Sequence, residues 1–273
     1  MIKVENLGFS YGNKLVLKNI SLELQNGNIY GLLGENGVGK TTLLTLLCGL
    51  KKPADGSIVV DGMDPWDRSP ILLGEQFYLP DEVPSVHSTA FDFGLETGSL
   101  WPSYSHVKFL EILAGFEVDQ NQKMDAMSAG QLKKTWISFA LACNARYYYL
   151  DEPTNGLDIP SKAQFRKAVT AYTSEESAIV ISTHQVRDLE NIIDPVIILD
   201  SQEVLVNASL EKISSKLFFD YGSEIKADAL YKEFTPGGAI QVYPNENGEE
   251  SKVNLEAFFN AVHSHKELVK SLF

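Results

Sequence analysis

The segment from Gly34 to Thr41 most constrains how this chain can fold. Its sequence, G-E-N-G-V-G-K-T, fits the pattern G-x-x-x-x-G-K-[ST]. An apolar run at 29–33 precedes it, and leucines at three- and four-residue spacing follow it within 42–47. These patterns predict a buried strand before the loop and a helix after it. Glycines allow successive backbone N–H groups to converge, and together with a helix N-terminus they form a concavity that favours anionic oxygens. A phosphate-binding strand–loop–helix unit is therefore predicted here.

Two side chains of this segment can act directly on phosphate groups. Lys40 adds a full positive charge toward the β- and γ-phosphates, and Thr41 offers a hydroxyl to Mg²⁺. The alternative is an ordinary glycine-rich turn, but average residue frequencies produce this pattern by chance in roughly 1% of chains of this size. Nucleotide contacts are therefore predicted along the whole loop and at the residue after it. The residues are Gly34, Glu35, Asn36, Gly37, Val38, Gly39, Lys40, Thr41 and Thr42.

Composition narrows the class of protein. The 273 residues are 44% hydrophobic and 10% aromatic, which is ordinary for a globular protein with a sizeable core. The formal net charge of -13 argues against broad nucleic-acid binding and against electrostatic docking to an anionic membrane surface. No apolar run approaches the roughly 20 residues of a membrane helix, and residues 1–5 lack the apolar centre of a signal peptide. We expect a cytoplasmic chain whose role at a membrane, if it has one, requires another subunit.

Strands and helices alternate along the chain from about residue 130, which predicts a parallel sheet with both faces covered. Before it, residues 1–30 alternate strand-like runs with turns, and residues 82–127 indicate a mainly helical insertion whose aromatics are assigned to the core. Near the end, 241–243 and 252–253 predict a hairpin, and 255–272 predicts one amphipathic helix. Two cysteines, Cys48 and Cys143, lie in apolar helical patterns and are predicted to be buried thiols.

Two carboxylates end one predicted strand, and a histidine follows the next. Asp151 and Glu152 follow the run 147–150, at the sheet edge where parallel α/β sheets bind ligands. Asp151 can hold Mg²⁺, usually through water, and Glu152 can take a proton from an attacking water. His184 follows the strand 178–182 and would reach the γ-phosphate from the same edge. The alternatives are an acidic turn for the pair and a solvated loop position for the histidine.

A second helix start that could bind an anion follows the insertion, at Met127–Gln131. Ser128 is predicted to cap this helix, and the small residues around it allow close backbone approach. One nucleotide does not need two such helix ends from one chain. Two chains facing each other do, because each would supply its loop to its own nucleotide and this helix start to its partner's.

Taken together, these motifs resemble the ATP-binding subunit of ABC (ATP-binding cassette) transporters over roughly residues 2–213. The resemblance includes a signature loop at 127–131 similar to L-S-G-G-Q and a D-loop at 153–158. It implies a P-loop nucleotide hydrolase of the α/β class, with a mainly parallel sheet core, an antiparallel N-terminal lobe and a helical insertion at about 82–127. The cofactors implied are ATP and Mg²⁺. Residues 214–273 would form a small C-terminal appendage.

The resemblance also implies residue roles. Glu152, His184 as the switch histidine, and Lys40 would be catalytic. Tyr11 would stack on adenine, and Phe9 is the weaker candidate for that role. The alternative for Tyr11 is an aromatic side chain that only packs within its strand. Further nucleotide contacts would come from the signature and D-loops. They are Ser128, Gly130, Gln131 and Asp158.

One position departs seriously from the family pattern. The family usually has a Gln that joins the two lobes and contacts Mg²⁺, and the equivalent place in 77–82 holds Asp81. Asp81 could ligate Mg²⁺ directly or through water, together with Thr41 and Asp151, yet a carboxylate near the γ-phosphate repels it. Gln76 lies five residues earlier, so both residues stay open for this role. The changes at Met127 and Ala129 of the signature, and the three tyrosines at 147–149, are mild departures.

The function implied is ATP hydrolysis that powers transport through a separate polytopic membrane subunit, with the ATPase acting as a homodimer or heterodimer. We expect that subunit to dock between the core and the insertion, on the inner face of the cell membrane. Candidate contacts are Val83, Val86, Phe91 and Phe93. Export is somewhat favoured, because residues 254–259 faintly resemble tails of exporter ATPases. The alternative is a soluble ABC ATPase for assembly, such as iron–sulfur scaffold building.

Overall fold

Three β-sheets and the helices around them make up the described part of the chain. A computed structural model describes residues 1–222, 226 and 229–273. The strands, in chain order, are β1 (Ile2–Tyr11), β2 (Lys14–Leu24), β3 (Ile29–Leu33), β4 (Asp55–Val60), β5 (Gln76–Leu79), β6 (Tyr147–Asp151), β7 (Ala178–Thr183), β8 (Val196–Asp200), β9 (Glu203–Ala208), β10 (Leu217–Gly222), β11 (Tyr231–Thr235) and β12 (Gly238–Pro244). The helices are α1 (Lys40–Leu47), α2 (Pro70–Gly74), α3 (Ala90–Gly98), α4 (His106–Gly115), α5 (Ala129–Ala142), α6 (Ile159–Tyr172), α7 (Leu210–Lys216), α8 (Leu255–Ser264) and α9 (Lys266–Leu272).

The N-terminal sheet is antiparallel, in the order β2-β1-β4. Residues alternate along the start of β1, with Ile2 and Val4 buried and Lys3 exposed, as a sheet with one covered face requires. The buried face packs in one hydrophobic cluster with the leucines of α1. This packing brings the end of β1 and the start of β2 against the loop that precedes α1.

The central sheet has the order β5-β6-β7-β3-β8-β9, with only β9 antiparallel to its neighbour. The predicted mainly parallel core is confirmed. In register, Leu33 at the end of β3 lies beside Thr183 of β7, and Asp151 of β6 lies beside Ser182. The segments that follow β3, β6 and β7 therefore leave the sheet at one edge, as the sequence motifs require.

Strand β6 is covered on both faces. Tyr147 and Tyr149 belong to the hydrophobic cluster beneath the N-terminal sheet, whereas Tyr148 belongs to the cluster under the helical insertion. All three side chains are at most 1% exposed. A strand of a doubly covered sheet is expected to be apolar throughout, and here aromatic rings take the place of aliphatic side chains.

The segment predicted as a mainly helical insertion contains α3 and α4. Phe93, Phe109 and Phe116 are buried, and Phe139 of α5 packs against the first two with ring centroids 4.8 and 6.1 Å away. Phe91 and Trp101 are only partly buried. Both cysteines are buried free thiols, as predicted. Among the described residues, no helix combines the length and the apolar character needed to cross a bilayer.

The C-terminal region differs from both sequence predictions made for it. Residues 241–243 lie in β12, which pairs with β10 and β11, and 252–253 lie in no strand. The predicted hairpin is wrong because β12 is the central strand of its sheet, with β10 and β11 on its two edges, so neither edge is left for 252–253 to pair with. The predicted single terminal helix is also wrong, since it breaks at His265 into α8 and α9.

The break at His265 lets the last helix turn back onto the central sheet. Val269 is fully buried, Lys266 pairs with Asp200 at the end of β8, and Lys270 Nζ lies 2.6 Å from Glu203 Oε2 in β9. Burial disfavours ionisation of Asp200, but hydrogen bonds from Lys266 and Ser201 outweigh it and hold the pKa of Asp200 below its usual value. These tertiary contacts offset the lost helical turn. The boundary at 213/214 remains a prediction.

Candidate functional site

The loop between β3 and α1 folds around the amino group of its own lysine. Lys40 is 6% exposed, and its Nζ donates to the carbonyl oxygens of Gly34 at 2.8 Å and Glu35 at 3.2 Å. Gly39 has a φ of 117°, and a Cβ there would lie 3.0 Å from a Leu17 methyl. Only glycine adopts this backbone readily, so the loop's shape depends on that residue. The ammonium is thereby fixed at the start of the helix.

Glu152 lies next to this lysine. Its Oε1 is 3.4 Å from Lys40 Nζ and 3.0 Å from His184 Nδ1. That oxygen is buried and accepts no hydrogen bond. The backbone of Glu152 has a φ of 43°, a strained conformation for a non-glycine residue, and its N–H donates to Ser182 Oγ at 3.0 Å. The strained turn aims the carboxylate toward the loop lysine rather than along the strand.

The histidine predicted to reach this edge lies there. His184 follows β7, about a third of its side chain is exposed, and its Nε2 is 3.3 Å from Gln185 Nε2. Asp151 is 2% exposed and accepts from Ser182 Oγ at 2.5 Å. The structure thus brings together the loop lysine, both carboxylates and the histidine, which are far apart in sequence.

A cavity of about 250 Å³ opens between this cluster and the N-terminal sheet. Two of its lining residues, Lys14 and Val16 of β2, were not predicted, since no local motif signals that β2 lies over the loop. Gly34 does not line the cavity, and a Cβ there would be 2.5 Å from the Leu199 carbonyl oxygen. The cavity is lined by Tyr11, Lys14, Val16, Asn36, Gly37, Gly39, Lys40, Thr41, Thr42, Asp81, Asp151 and Glu152.

Tyr11 lies at the rim of the cavity. The residue is 48% exposed, and its hydroxyl is 3.4 Å from Thr42 Oγ1. Lys51 Nζ lies 5.0 Å from the ring centroid, and the Phe9 ring meets it edge-on at 5.0 Å. Phe9 does not line the cavity, so of the two aromatics only Tyr11 presents a ring there.

The structure separates the two candidates for the Gln-loop role. Gln76 begins β5 and is paired in register with Tyr147 at the start of β6. Its Nε2 donates to the Cys48 carbonyl at 3.0 Å. It therefore lies at the sheet edge opposite Asp151. Asp81 follows the end of β5 and lines the cavity. Position therefore favours Asp81.

The signature and D-loop residues lie outside the cavity. Ser128 caps α5 as predicted: its Oγ accepts from Gln131 N at 3.2 Å, and Gln131 Oε1 accepts from Ser128 N at 2.9 Å. Asp158 caps α6 by accepting from Ser161 N at 2.9 Å. Hydrogen bonding from the side chain of Ser161, and then from its backbone N–H, holds the pKa of Asp158 below its usual value. A Cβ on Gly130 would lie 3.6 Å from the carbonyl oxygen of Gly156, so the two loops are neighbours on one surface.

Comparison with known proteins gives a consistent result. The family model described as "ABC transporter" matches residues 17–155, just over half of the chain. The ABC transporter ATP-binding protein NatA of Bacillus subtilis is 29% identical over 222 residues, which cover 79% of this chain and 87% of NatA. The SkfA peptide export ATP-binding protein SkfE of the same species is 32% identical over 207 residues, covering 73% and 85%.

Solved structures support the same fold. The ATP-binding cassette MJ0796, solved as a dimer in a post-hydrolysis state with ADP and Pi, has a TM-score of 0.66 at 23% identity. The match covers 77% of this chain and 99% of that one, and at this identity it speaks for the fold. The family match, the relatives and the fold together lead to one conclusion: this chain belongs to the ABC transporter ATP-binding proteins and is an ATPase.

Proposed function

We propose that this ATPase powers an ABC transporter by driving a separate polytopic membrane subunit. The observation that carries the catalytic half of the proposal is the position of Glu152, between Lys40 and His184 at 3.4 and 3.0 Å. A carboxylate held beside the phosphate-loop lysine can orient or deprotonate a water near the terminal phosphate. The phosphate loop and the cavity between it and the N-terminal sheet support ATP as the nucleotide.

The residues divide the work of phosphoryl transfer, which is mainly positioning and charge stabilisation. Lys40 and the loop amides stabilise the phosphate oxygens. Glu152 takes the proton of the attacking water or aligns it, and His184 holds the γ-phosphate through the ring that now faces Glu152. Tyr11 provides the aromatic face for adenine at the rim.

The oxygen donors at the cavity fit Mg²⁺. Thr41, Asp151 and Asp81 all line it, and hydroxyl and carboxylate oxygens are the groups this ion prefers. Within the described residues, no cluster of three or more His, Cys, Asp or Glu side chains suits a metal ion. A site completed by nucleotide phosphates and water agrees with that, since Mg²⁺ is usually held by one or two carboxylates plus phosphates. The ion would neutralise charge that develops on the phosphate oxygens.

The exposed start of α5 supports a paired arrangement of two ATPase chains. Ser128, Gly130 and Gln131 do not reach the cavity of their own chain. Asp158 lies on the same surface, beside the signature loop. In a homodimer or heterodimer, these groups would meet the nucleotide bound by the other chain, as the sequence predicted.

A groove between the core and the helical insertion suits the membrane subunit. It encloses about 740 Å³, and its apolar lining includes Leu50, Leu73, Tyr78, Leu100, Trp101 and Pro102. None of the four residues proposed from sequence lines it. Phe93 is 4% exposed, and Val83 and Val86 pack against the core. The proposed docking site stays between the core and the insertion, but its contact residues are reassigned to those that line the groove. Docking there would place the chain on the inner face of the membrane through its partner.

Export is the direction that the relatives' names favour. They include the SkfA peptide export protein SkfE and the lipopolysaccharide export protein LptB. The name of a third relative, the lantibiotic transport protein SrtF, gives no direction. The alternative, a soluble assembly ATPase, would lack a polytopic partner.

Capture of the partner tests this proposal. The tagged chain, purified from detergent-solubilised membranes of its native host, should carry a polytopic protein. Leu100→Glu should weaken that co-purification by about tenfold, the effect of a contact worth about 1.4 kcal/mol, and leave the ATPase rate of the isolated chain unchanged. Val107→Glu is the control, because Val107 is similarly exposed, at 68% against 73%, but lies outside the groove. Capture of soluble partners alone would overturn the transport proposal in favour of assembly.

A further inference from the structure

We propose that Lys133 is a positioning residue for ATP hydrolysis, which holds Asp81 at the cavity and offsets its negative charge. The inference rests on the proposed placement of ATP in that cavity. Lys133 belongs to α5 and carries none of the roles assigned so far. Its positive charge would reduce the repulsion between the carboxylate of Asp81 and the phosphates of ATP.

The ammonium of Lys133 is committed to one short segment. Lys133 is 4% exposed, and its Nζ lies 2.5 Å from the Asp81 carbonyl oxygen, 3.4 Å from the Pro80 carbonyl oxygen and 3.5 Å from Asp81 Oδ1. Burying a lysine is costly unless its charge is compensated. The group therefore stays in place because of what it binds, and what it binds is the segment that leaves β5 for the cavity.

A second group holds the same carboxylate from the other side. Asn155 Nδ2 lies 3.1 Å from Asp81 Oδ1 and 3.4 Å from Oδ2. Asn155 follows Glu152 by three residues, and its N–H donates to the Glu152 carbonyl. Asp81 is thus fixed between α5 and the loop that carries the proposed general base, so its position depends on both.

The charges of the site explain why this cation is needed. Three carboxylates, Asp81, Asp151 and Glu152, line the cavity that would receive a polyanion. Without Lys133, the carboxylate of Asp81 would repel the phosphates with no buried counter-charge.

Variants of the full chain test the inference. Lys133→Met should raise the KM for ATP, or the Mg²⁺ concentration that gives half-maximal rate, by about tenfold, within the range found for coupled charge pairs. Lys133→Arg should return both constants to within about threefold of the parent. Adding Asp81→Asn to Lys133→Met should return the KM for ATP toward the parent value, because the carboxylate that repels the phosphates is gone, while the Mg²⁺ dependence should match that of Asp81→Asn alone. Lys134→Met is the matched control on the same helix, since the ammonium of Lys134 donates to the Phe116 carbonyl and no hydrogen bond or ion pair joins it to Asp81 among the described residues.

Three outcomes would overturn the inference. The first is a KM for ATP and a half-maximal Mg²⁺ concentration within twofold of the parent in Lys133→Met. The second is a KM for ATP in the double variant that reflects the sum of the two single effects. The third is an effect of Lys134→Met as large as that of Lys133→Met. If Lys133→Met does not fold, Lys133→Gln replaces it, because the amide keeps a donor for the carbonyls but carries no charge. Lys40→Ala distinguishes failure of this inference from failure of the proposed ATPase function. If Lys133→Met behaves like the parent while Lys40→Ala is inactive, only the positioning role of Lys133 is rejected.

Discussion

Replacing Glu152 by Gln removes one charge and one base from the site while keeping the shape of the side chain. In the structure Oε1 is buried, 3.4 Å from Lys40 Nζ and 3.0 Å from His184 Nδ1. The amide cannot accept a proton from water. We therefore expect Glu152→Gln to bind ATP and to lose hydrolysis.

The size of the loss follows from the role. A positioned general base contributes about 10²- to 10⁴-fold to a rate, or about 2.7 to 5.4 kcal/mol of barrier. Binding should respond in the opposite sense, because removing the carboxylate removes repulsion of the γ-phosphate. Lys40 keeps its two carbonyl partners in the variant, so the loop should hold its shape.

Single-turnover hydrolysis and equilibrium binding of ATP separate the two effects. The purified variant should show a hydrolysis rate at least about 100-fold below the parent with an equal or lower Kd for ATP. With ATP retained, the proposed pair of chains should persist, and light scattering should report twice the monomer mass. Glu176→Gln, at an exposed position after α6, controls for a general effect of charge. A hydrolysis rate within threefold of the parent would refute the assignment of Glu152 as base.

Three further predictions test other parts of the site and core. Lys40→Ala should lower ATP binding or turnover below detection in a nucleotide-binding and phosphate-release assay, and parent-like rates would reject the phosphate-loop assignment. Asp81→Asn should change the Mg²⁺ dependence of hydrolysis, while Gln76→Ala, at the opposite sheet edge, should not; the reverse pattern would return the role to Gln76. Tyr149→Phe should leave the free energy of unfolding unchanged or raise it by about 1 kcal/mol in denaturant melts, because the fully buried hydroxyl of Tyr149 has no hydrogen-bond partner and its desolvation is costly. A loss of more than about 1 kcal/mol would show an unrecognised partner for that hydroxyl.

Local patterns were sufficient for the parts of the site that are contiguous in sequence. The strand before the phosphate loop was predicted with the bounds that β3 has, because its apolar run is short and closed by glycine. The capping role of Ser128 followed from residue type and spacing alone, and the structure confirms it. The meeting of Glu152 with His184 was also expected, since parallel strands end at one edge.

Contacts that join distant segments could not be predicted in the same way. No pattern in the sequence indicates that Lys14 lines the cavity, or that Lys133 of α5 binds Asp81, because both contacts arise from how separate elements pack. The terminal helix was predicted too long for a related reason. The amphipathic period continues through His265, and only the ion pairs of Lys266 and Lys270 with the central sheet show why the chain turns there.

Because successive tyrosines of β6 point to opposite faces of the sheet, this one strand contacts both the layer under the helical insertion and the layer under the N-terminal sheet. Tyr148 and Tyr149 are consecutive residues, yet one ring is embedded under the helical insertion and the other under the N-terminal sheet. Fluorine placed on each ring would give two NMR signals that separate motion of the insertion from motion of the antiparallel lobe. Asp151 is the last residue of this strand and Glu152 follows it directly, so both lie next to a segment that is anchored in both layers. This pair of signals would show directly whether the strand that positions both carboxylates stays fixed when nucleotide binds.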